Sequence, residues 1–194
     1  MTLYSRRPTQ KFDQDDGSNL EDDWNREHVW AKSHGYFGTT KGAGTDIHAL
    51  RASDRTVNTE RSSKDFAEGG SSLSNEDARG DCPSCLETAF TFEPPDEVKG
   101  SVARMIFYMA TRYNGGSGSN GLTLTAVNIT NDGGTSFGAA TEGDGELGDL
   151  ATLLAWNDLY QPTDEEYYRN NIIFQIQGNR NPFIDHPEWA NSIF

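Results

Sequence analysis

Cysteine is nearly absent: the chain holds only Cys82 and Cys85, within Asp81-Cys82-Pro83-Ser84-Cys85. Two cysteines exclude a four-thiolate zinc site, and no strand–helix–strand pattern surrounds them to support a thioredoxin-like redox motif. A short-loop disulfide in an exported protein is the favoured reading, ahead of free thiols. Long hydrophobic runs are missing too, and no stretch approaches the roughly 18 apolar residues that cross a bilayer. No secretory leader is visible, so Met1 opens either a trimmed exported chain or a cytoplasmic one. Basic residues are scarce: 16 Lys and Arg face 30 Asp and Glu, a net charge of -14. That deficit argues against extended wrapping of nucleic acid, because phosphate contacts call for Lys and Arg.

Aromatic residues, by contrast, are plentiful. Four Trp, seven Tyr and ten Phe in 194 residues can build one sizeable core, despite a mean hydropathy of -0.73. The charge is also uneven. Trp24 to Phe66 carries seven Lys/Arg against five Asp/Glu, a local +2, which leaves -16 on the rest of the chain. A locally basic segment in an acidic body fits phosphate binding at one place.

Residues 1–23 are polar and read as a loosely attached arm. An extended segment follows over Asn25–Trp30, then a Gly-rich stretch from Gly35 to Gly44, then a strand over Thr45–Leu50. Ala52–Ser63 is predicted as a helix with Ser53 as its N-cap. Residues 67–87 read as a long excursion containing the two cysteines. Val98, Val102, Met105, Ile106, Met109 and Tyr113 recur at helical spacing after Pro94-Pro95, a stripe read as core rather than ligand contact. Residues 114–146 are Gly-rich, with one alternating segment, Leu122–Thr125. Further helices are expected over Leu147–Leu159, from Thr163 (a capping box with Glu166) to just before Gly178, and briefly from Asp185. The sum is a mostly helical α+β single domain spanning 24–194.

Chemistry concentrates in the basic window. His28, His34 and His48 fall there, on a strand–loop–strand–helix arrangement. On the predicted helix Asp54, Asn58 and Arg61 would share one face, offering oxygen ligands suited to Mg²⁺ and a guanidinium for a phosphate oxygen. A neutral imidazole nearby could take a proton from water. Geometry raises one objection: neighbours on a regular strand point to opposite faces, so Glu27 and His28 share a site only if the strand ends or twists there. Taken singly, His28 is more often a packed residue, Asn58 a solvated one, and Glu27 a partner for Arg26 or Arg55. A different reading treats Glu142-Gly143-Asp144-Gly145-Glu146 as calcium-binding surface, though its spacing fits no EF-hand loop.

The order of motifs adds a family resemblance. Asn25-Arg26-Glu27-His28-Val29-Trp30 followed by Ser33-His34-Gly35 resembles the signature of the endonuclease I family of secreted and periplasmic bacterial nucleases. Thr45–Leu50, Val57–Ser62, Phe92–Pro94, Val98–Met109 and Gln177–Pro187 look familiar in the same order. Two departures are Ala31, where the family usually has Pro, and Ser101, where Asp is common. The resemblance implies a ββα-metal motif, with His28 as general base, Glu27 and Asn58 as Mg²⁺ ligands (Mn²⁺ or Ca²⁺ as substitutes), and Arg61 and Arg180 on phosphate. His48 is kept as structural or as a support behind the site residues. It further implies a monomeric, secreted or periplasmic endonuclease cutting DNA, and in some members RNA, to 5′-phosphate products with little sequence preference. The alternative is a non-catalytic binding relative on the same scaffold.

Overall fold

A computed structural model describes residues 1–17, 23–115, 123–128 and 145–194. In chain order the elements begin with β1 (Trp24–His28), β2 (Leu50–Asp54), α1 (Arg55–Arg61), β3 (Asp65–Phe66) and β4 (Ser71–Ser72). They continue with α2 (Glu76–Asp81), β5 (Leu86–Glu87), β6 (Thr91–Glu93), α3 (Asp96–Arg112), β7 (Thr125–Ala126) and β8 (Glu146–Leu147). Four helices close the chain: α4 (Leu150–Leu159), α5 (Asp164–Gln177), α6 (Pro182–Asp185) and α7 (Ala190–Ile193). The result is a mixed α/β domain with small sheets. β1 and β2 form an antiparallel pair, β3-β6-β5-β4 a four-stranded sheet, and β7-β8 a parallel pair. No helix among the described residues is long and apolar enough to cross a membrane.

The predicted apolar stripe is α3, which is buried around almost its whole circumference rather than on one face. Ala103, Phe107, Tyr108 and Ala110 are covered along with Val102, Met105, Ile106 and Met109. Gly100 lets the end of α4 approach, since a Cβ there would lie 2.1 Å from the Tyr160 carbonyl oxygen. Burying Arg104 in such a helix demands partners, and it has them. Its Nε and Nη2 donate to the two oxygens of Glu166, each at 2.9 Å, and Nη1 donates to the Tyr160 carbonyl at 2.9 Å.

Local signals placed α5 well. Thr163 and Glu166 form the expected capping box, and Gly178 ends the helix in the left-handed conformation at φ 83. Elsewhere boundaries moved for identifiable reasons. Within Thr45–Leu50 the residues Ile47–Ala49 form a turn, because Asp46 Oδ1 accepts from the His48 amide, and the strand runs over Leu50–Asp54 instead. Asp54, not Ser53, caps α1, accepting from the Thr56 and Val57 amides. The strand β8 occupies the start of the helix predicted from Leu147, and Asp149 caps α4. The excursion over 67–87 contains α2 between two short strands, and the disulfide Cys82–Cys85 follows it. Most of the Gly-rich 114–146 segment, including Glu142 to Asp144 of the calcium reading, lies outside the described residues.

The segment read as a loose arm is packed at its start. Leu3 and Tyr4 are buried, the Leu3 amide donates to the Ala52 carbonyl at 2.8 Å, and Arg7 pairs with Asp54 at 2.5 Å. A second polar cluster joins three distant motifs. Asp46 Oδ2 accepts from Tyr108 and Tyr113, Asp46 Oδ1 also accepts from Gln177, and Asn179 donates to the Tyr108 oxygen. His48, whose Nε2 meets the Asn179 carbonyl at 3.1 Å, belongs to this cluster and not to the cleft described next.

Candidate active site

β1 and β2 pair in the register Glu27↔Arg51 and His28↔Leu50, and α1 starts directly after β2. Asp54 anchors that start, so the register of α1 over the strands follows from one carboxylate. A cleft of about 600 Å³ opens where β1 ends, and Asn25, Glu27, His28, Asn58 and Arg61 all border it. The objection about adjacent strand residues is met by position. His28 is the last residue of β1, and the cleft wraps the strand end, so Glu27 borders it from beneath while His28 borders it from the rim.

Glu27 is 2% exposed. Its Oε1 accepts from the Tyr4 hydroxyl at 2.5 Å and lies 3.4 Å from Arg61 Nη1. Oε2 has no partner among the described residues. Burial raises the Glu27 pKa, and Arg61 and the Tyr4 hydrogen bond only partly offset it. A carboxylate in that condition gains from any cation at its open oxygen.

His28 Nε2 sits 3.0 Å from the Gly44 carbonyl oxygen. That oxygen can only accept, so Nε2 carries the proton and Nδ1 keeps its lone pair. Burial lowers the His28 pKa, opposed by the Gly44 hydrogen bond and helped by Lys32, Arg26 and Arg61. Burial therefore favours the neutral ring. Gly44 cannot be larger without moving the loop, as its Cβ would lie 2.2 Å from the Gly38 carbonyl oxygen.

Asn58 Nδ2 donates to Asn25 Oδ1 at 2.6 Å, which orients the amide and leaves Asn58 Oδ1 without a donor among the described residues. Glu27 and Asn58 thus bring to one cleft a carboxylate and an amide oxygen with open valences. This donor set fits a hard divalent ion that keeps most of its water.

Arg61 is brought to the cleft, but both of its terminal nitrogens go to backbone carbonyls, and its buried Nε makes no hydrogen bond among the described residues. Nη2 bonds the Val29 carbonyl at 2.8 Å, Nη1 bonds those of His28 and Ser62 at 3.2 Å, and the guanidinium lies 4.6 Å from the centre of the Phe66 ring. Arg180 is not brought there. It clamps Asp185 through two 2.6 Å hydrogen bonds and holds Asn171 at 2.7 Å. Asp54 also leaves the predicted metal face, being buried as the cap of α1 and paired with Arg7.

Sequence reasoning missed four contributors. Tyr4 lies in the supposed arm, and nothing local ties it to Glu27. Asn25 stood within the quoted motif, without an assigned role. Arg26 and Lys32 border the cleft with exposed side chains; the net basicity of this window was the signal they shared, and Arg26 stood in the quoted motif without a role on phosphate. Nearby, one oxygen from each of Asp15, Asp16 and Asp23 lies within 4.8 Å of the others, and Asp15 borders the cleft.

Comparison with known proteins places this architecture. The family model for Endonuclease I matches residues 1–188, and the chain belongs to that family. It is similar to an extracellular ribonuclease of Bacillus amyloliquefaciens, 48% identical over 173 residues, covering 89% of this chain and 54% of that protein. An extracellular ribonuclease of Bacillus subtilis (strain 168) is 46% identical over 179 residues, 92% of this chain and 56% of that protein. Endonuclease-1 of Buchnera aphidicola subsp. Baizongia pistaciae is 28% identical over 141 residues, 72% and 46% of the two chains. The chain therefore spans about half the length of the curated relatives it matches.

Proposed function

We propose that this chain is a secreted, Mg²⁺-dependent endonuclease that hydrolyses nucleic-acid phosphodiesters with little sequence preference. One observation carries the reading: a single cleft holds the free lone pair of His28 Nδ1 beside two open oxygens, on Glu27 and Asn58. Glu27 and Asn58 would hold the ion. Bound there, Mg²⁺ supplies charge stabilisation for the developing phosphorane and the leaving oxygen.

The remaining steps fall to the chain itself. His28 Nδ1 takes a proton from the attacking water as the new O–P bond forms opposite the breaking P–O3′ bond. The leaving O3′ takes its proton from solvent water, so the products are a 5′-phosphate and a 3′-hydroxyl. The Gly44 carbonyl keeps the ring in the tautomer this requires. Arg26 and Lys32 are better placed for backbone phosphates than Arg180, while Arg61 adds positive charge from beneath. Among the described residues no basic helix is available to read base edges, in keeping with indifference to sequence.

RNA is proposed as the better substrate, with DNA also cut, because the two relatives at 48% and 46% identity carry the name extracellular ribonuclease. Secretion is supported by the same names and by the Cys82–Cys85 disulfide. A monomer suffices, since every residue invoked comes from one chain. Digestion of matched RNA, single-stranded DNA and duplex DNA with Mg²⁺ or EDTA tests the reading. Cleavage lost in EDTA and fastest on RNA is expected. Metal-dependent binding without cleavage would instead identify a non-catalytic relative.

A further inference from the structure

A second cavity, of about 200 Å³, lies among the N-terminal segment, β2 and the first turns of α3 and α5. It shares no lining residue with the cleft. Three guanidinium groups converge on it, from Arg6, Arg51 and Arg169. Glu166, which also lines it, is already saturated by Arg104. Three cations thus face two other carboxylates, an exposed Glu97 and a Glu165 that is 52% exposed at the mouth.

Arg51 is the least satisfied of the three. Its side chain is 9% exposed, its one ion pair is to Glu165 at 3.6 Å, and it donates no hydrogen bond among the described residues. Its donors are therefore free to take an acceptor that enters the cavity. Arg169 gives Nη2 to the Ile47 and Leu50 carbonyls at 2.6 and 2.7 Å, leaving its other nitrogens uncommitted among the described residues. Burial, joined by the charge of Arg51 and opposed by Glu165, lowers the Arg169 pKa to about 10. The positive ends of the α3 and α5 dipoles act in the same sense.

We infer that this cavity is an oxyanion site that takes a phosphate group, supplied by a nucleic-acid strand or by free inorganic phosphate. The planar forks of Arg51 and Arg169 suit a tetrahedral oxyanion, and Glu165 is the group it displaces toward solvent. The site goes beyond the proposed catalysis and does not depend on it.

The test is thermal melting with inorganic phosphate, in EDTA and at matched ionic strength in chloride, on the wild-type chain, Arg51→Met and Ser101→Asp. Ser101→Asp keeps all three arginines and places a carboxylate on the α3 wall, so it probes the site even if Arg51→Met folds poorly. A saturable, phosphate-specific rise in melting temperature is expected for wild type, weakened at least about tenfold in apparent affinity in both variants. A second arm separates the sources by salt-dependent binding of a short fluorescent oligonucleotide in EDTA. Occupation by a strand lowers the salt slope by about one in Ser101→Asp. Occupation by free phosphate leaves oligonucleotide binding unchanged while the melting response is lost. No phosphate-specific rise in wild type, or an undiminished rise in Ser101→Asp, overturns the inference. Because no cleavage is measured, that failure would leave Glu27, His28 and Asn58 as they stand.

Discussion

Two buried Arg–Glu pairs sit in this molecule and are built differently. In the helical body, Arg104 meets both oxygens of Glu166 at 2.9 Å, and Glu166 also accepts from the Thr163 amide. In the cleft, Arg61 stands 3.4 Å from one oxygen of Glu27 while its hydrogen bonds go to carbonyls, and the second oxygen of Glu27 is left open. Both glutamates are nearly inaccessible. The saturated pair has no valence left for a ligand and can only hold α3, α4 and α5 together. The unsaturated one carries a raised pKa and an acceptor that a cation would complete. Incomplete satisfaction, more than burial, separates the site from the scaffold.

Breaking the saturated pair should have the largest effect. Arg104→Met strands the Glu166 carboxylate and should lower stability by about 3–5 kcal/mol. Denaturant unfolding measures this, and a loss under about 1 kcal/mol would mean the pair holds little.

In the cleft the effect should fall on rate instead. His28→Ala should slow cleavage at least about a hundredfold, with the melting temperature nearly unchanged. The pH profile sharpens this. A general base must be neutral, and burial lowers the His28 pKa, so the acidic limb of kcat/KM should fall below pH 6.5 rather than at it. A limb above that value would point to another base.

Gly44→Ala should act more mildly, since it shifts the carbonyl that orients His28 without touching substrate. A fall in kcat of about tenfold is expected, with KM little changed. Equal loss in Gly44→Ala and His28→Ala would indicate general collapse of the loop.

The same contrast explains what could be read from sequence. α3 and α5 were legible because their signals are local: an apolar period, a capping box, a terminating glycine. The disulfide was legible from spacing and a count of two. β3 to β6 were not, because strands of two or three residues carry no period to detect. The shift of β2 and α1 turned on which of two adjacent side chains, Ser53 or Asp54, captured the helix amides. For the cleft, the motifs named Glu27, His28 and Asn58, and all three border it. Tyr4 and Asn25 were missed because their value depends on contacts across 23 and 33 positions in the chain. Arg61 and Arg180 show the reverse: residue type suggested phosphate for both, and the fold brings Arg61 to the cleft with its terminal nitrogens on backbone carbonyls while holding Arg180 on Asp185.

The open oxygens of Glu27 and Asn58 are the proposed metal site. Titration of Mn²⁺ followed by electron paramagnetic resonance, on wild type, Glu27→Gln and Asn58→Ala, tests it without substrate. One tight ion per wild-type chain, lost in Glu27→Gln and weakened in Asn58→Ala, is the expected result. A tight site that survives both substitutions would contradict the account and move the metal elsewhere, with Asp15, Asp16 and Asp23 the first place to look.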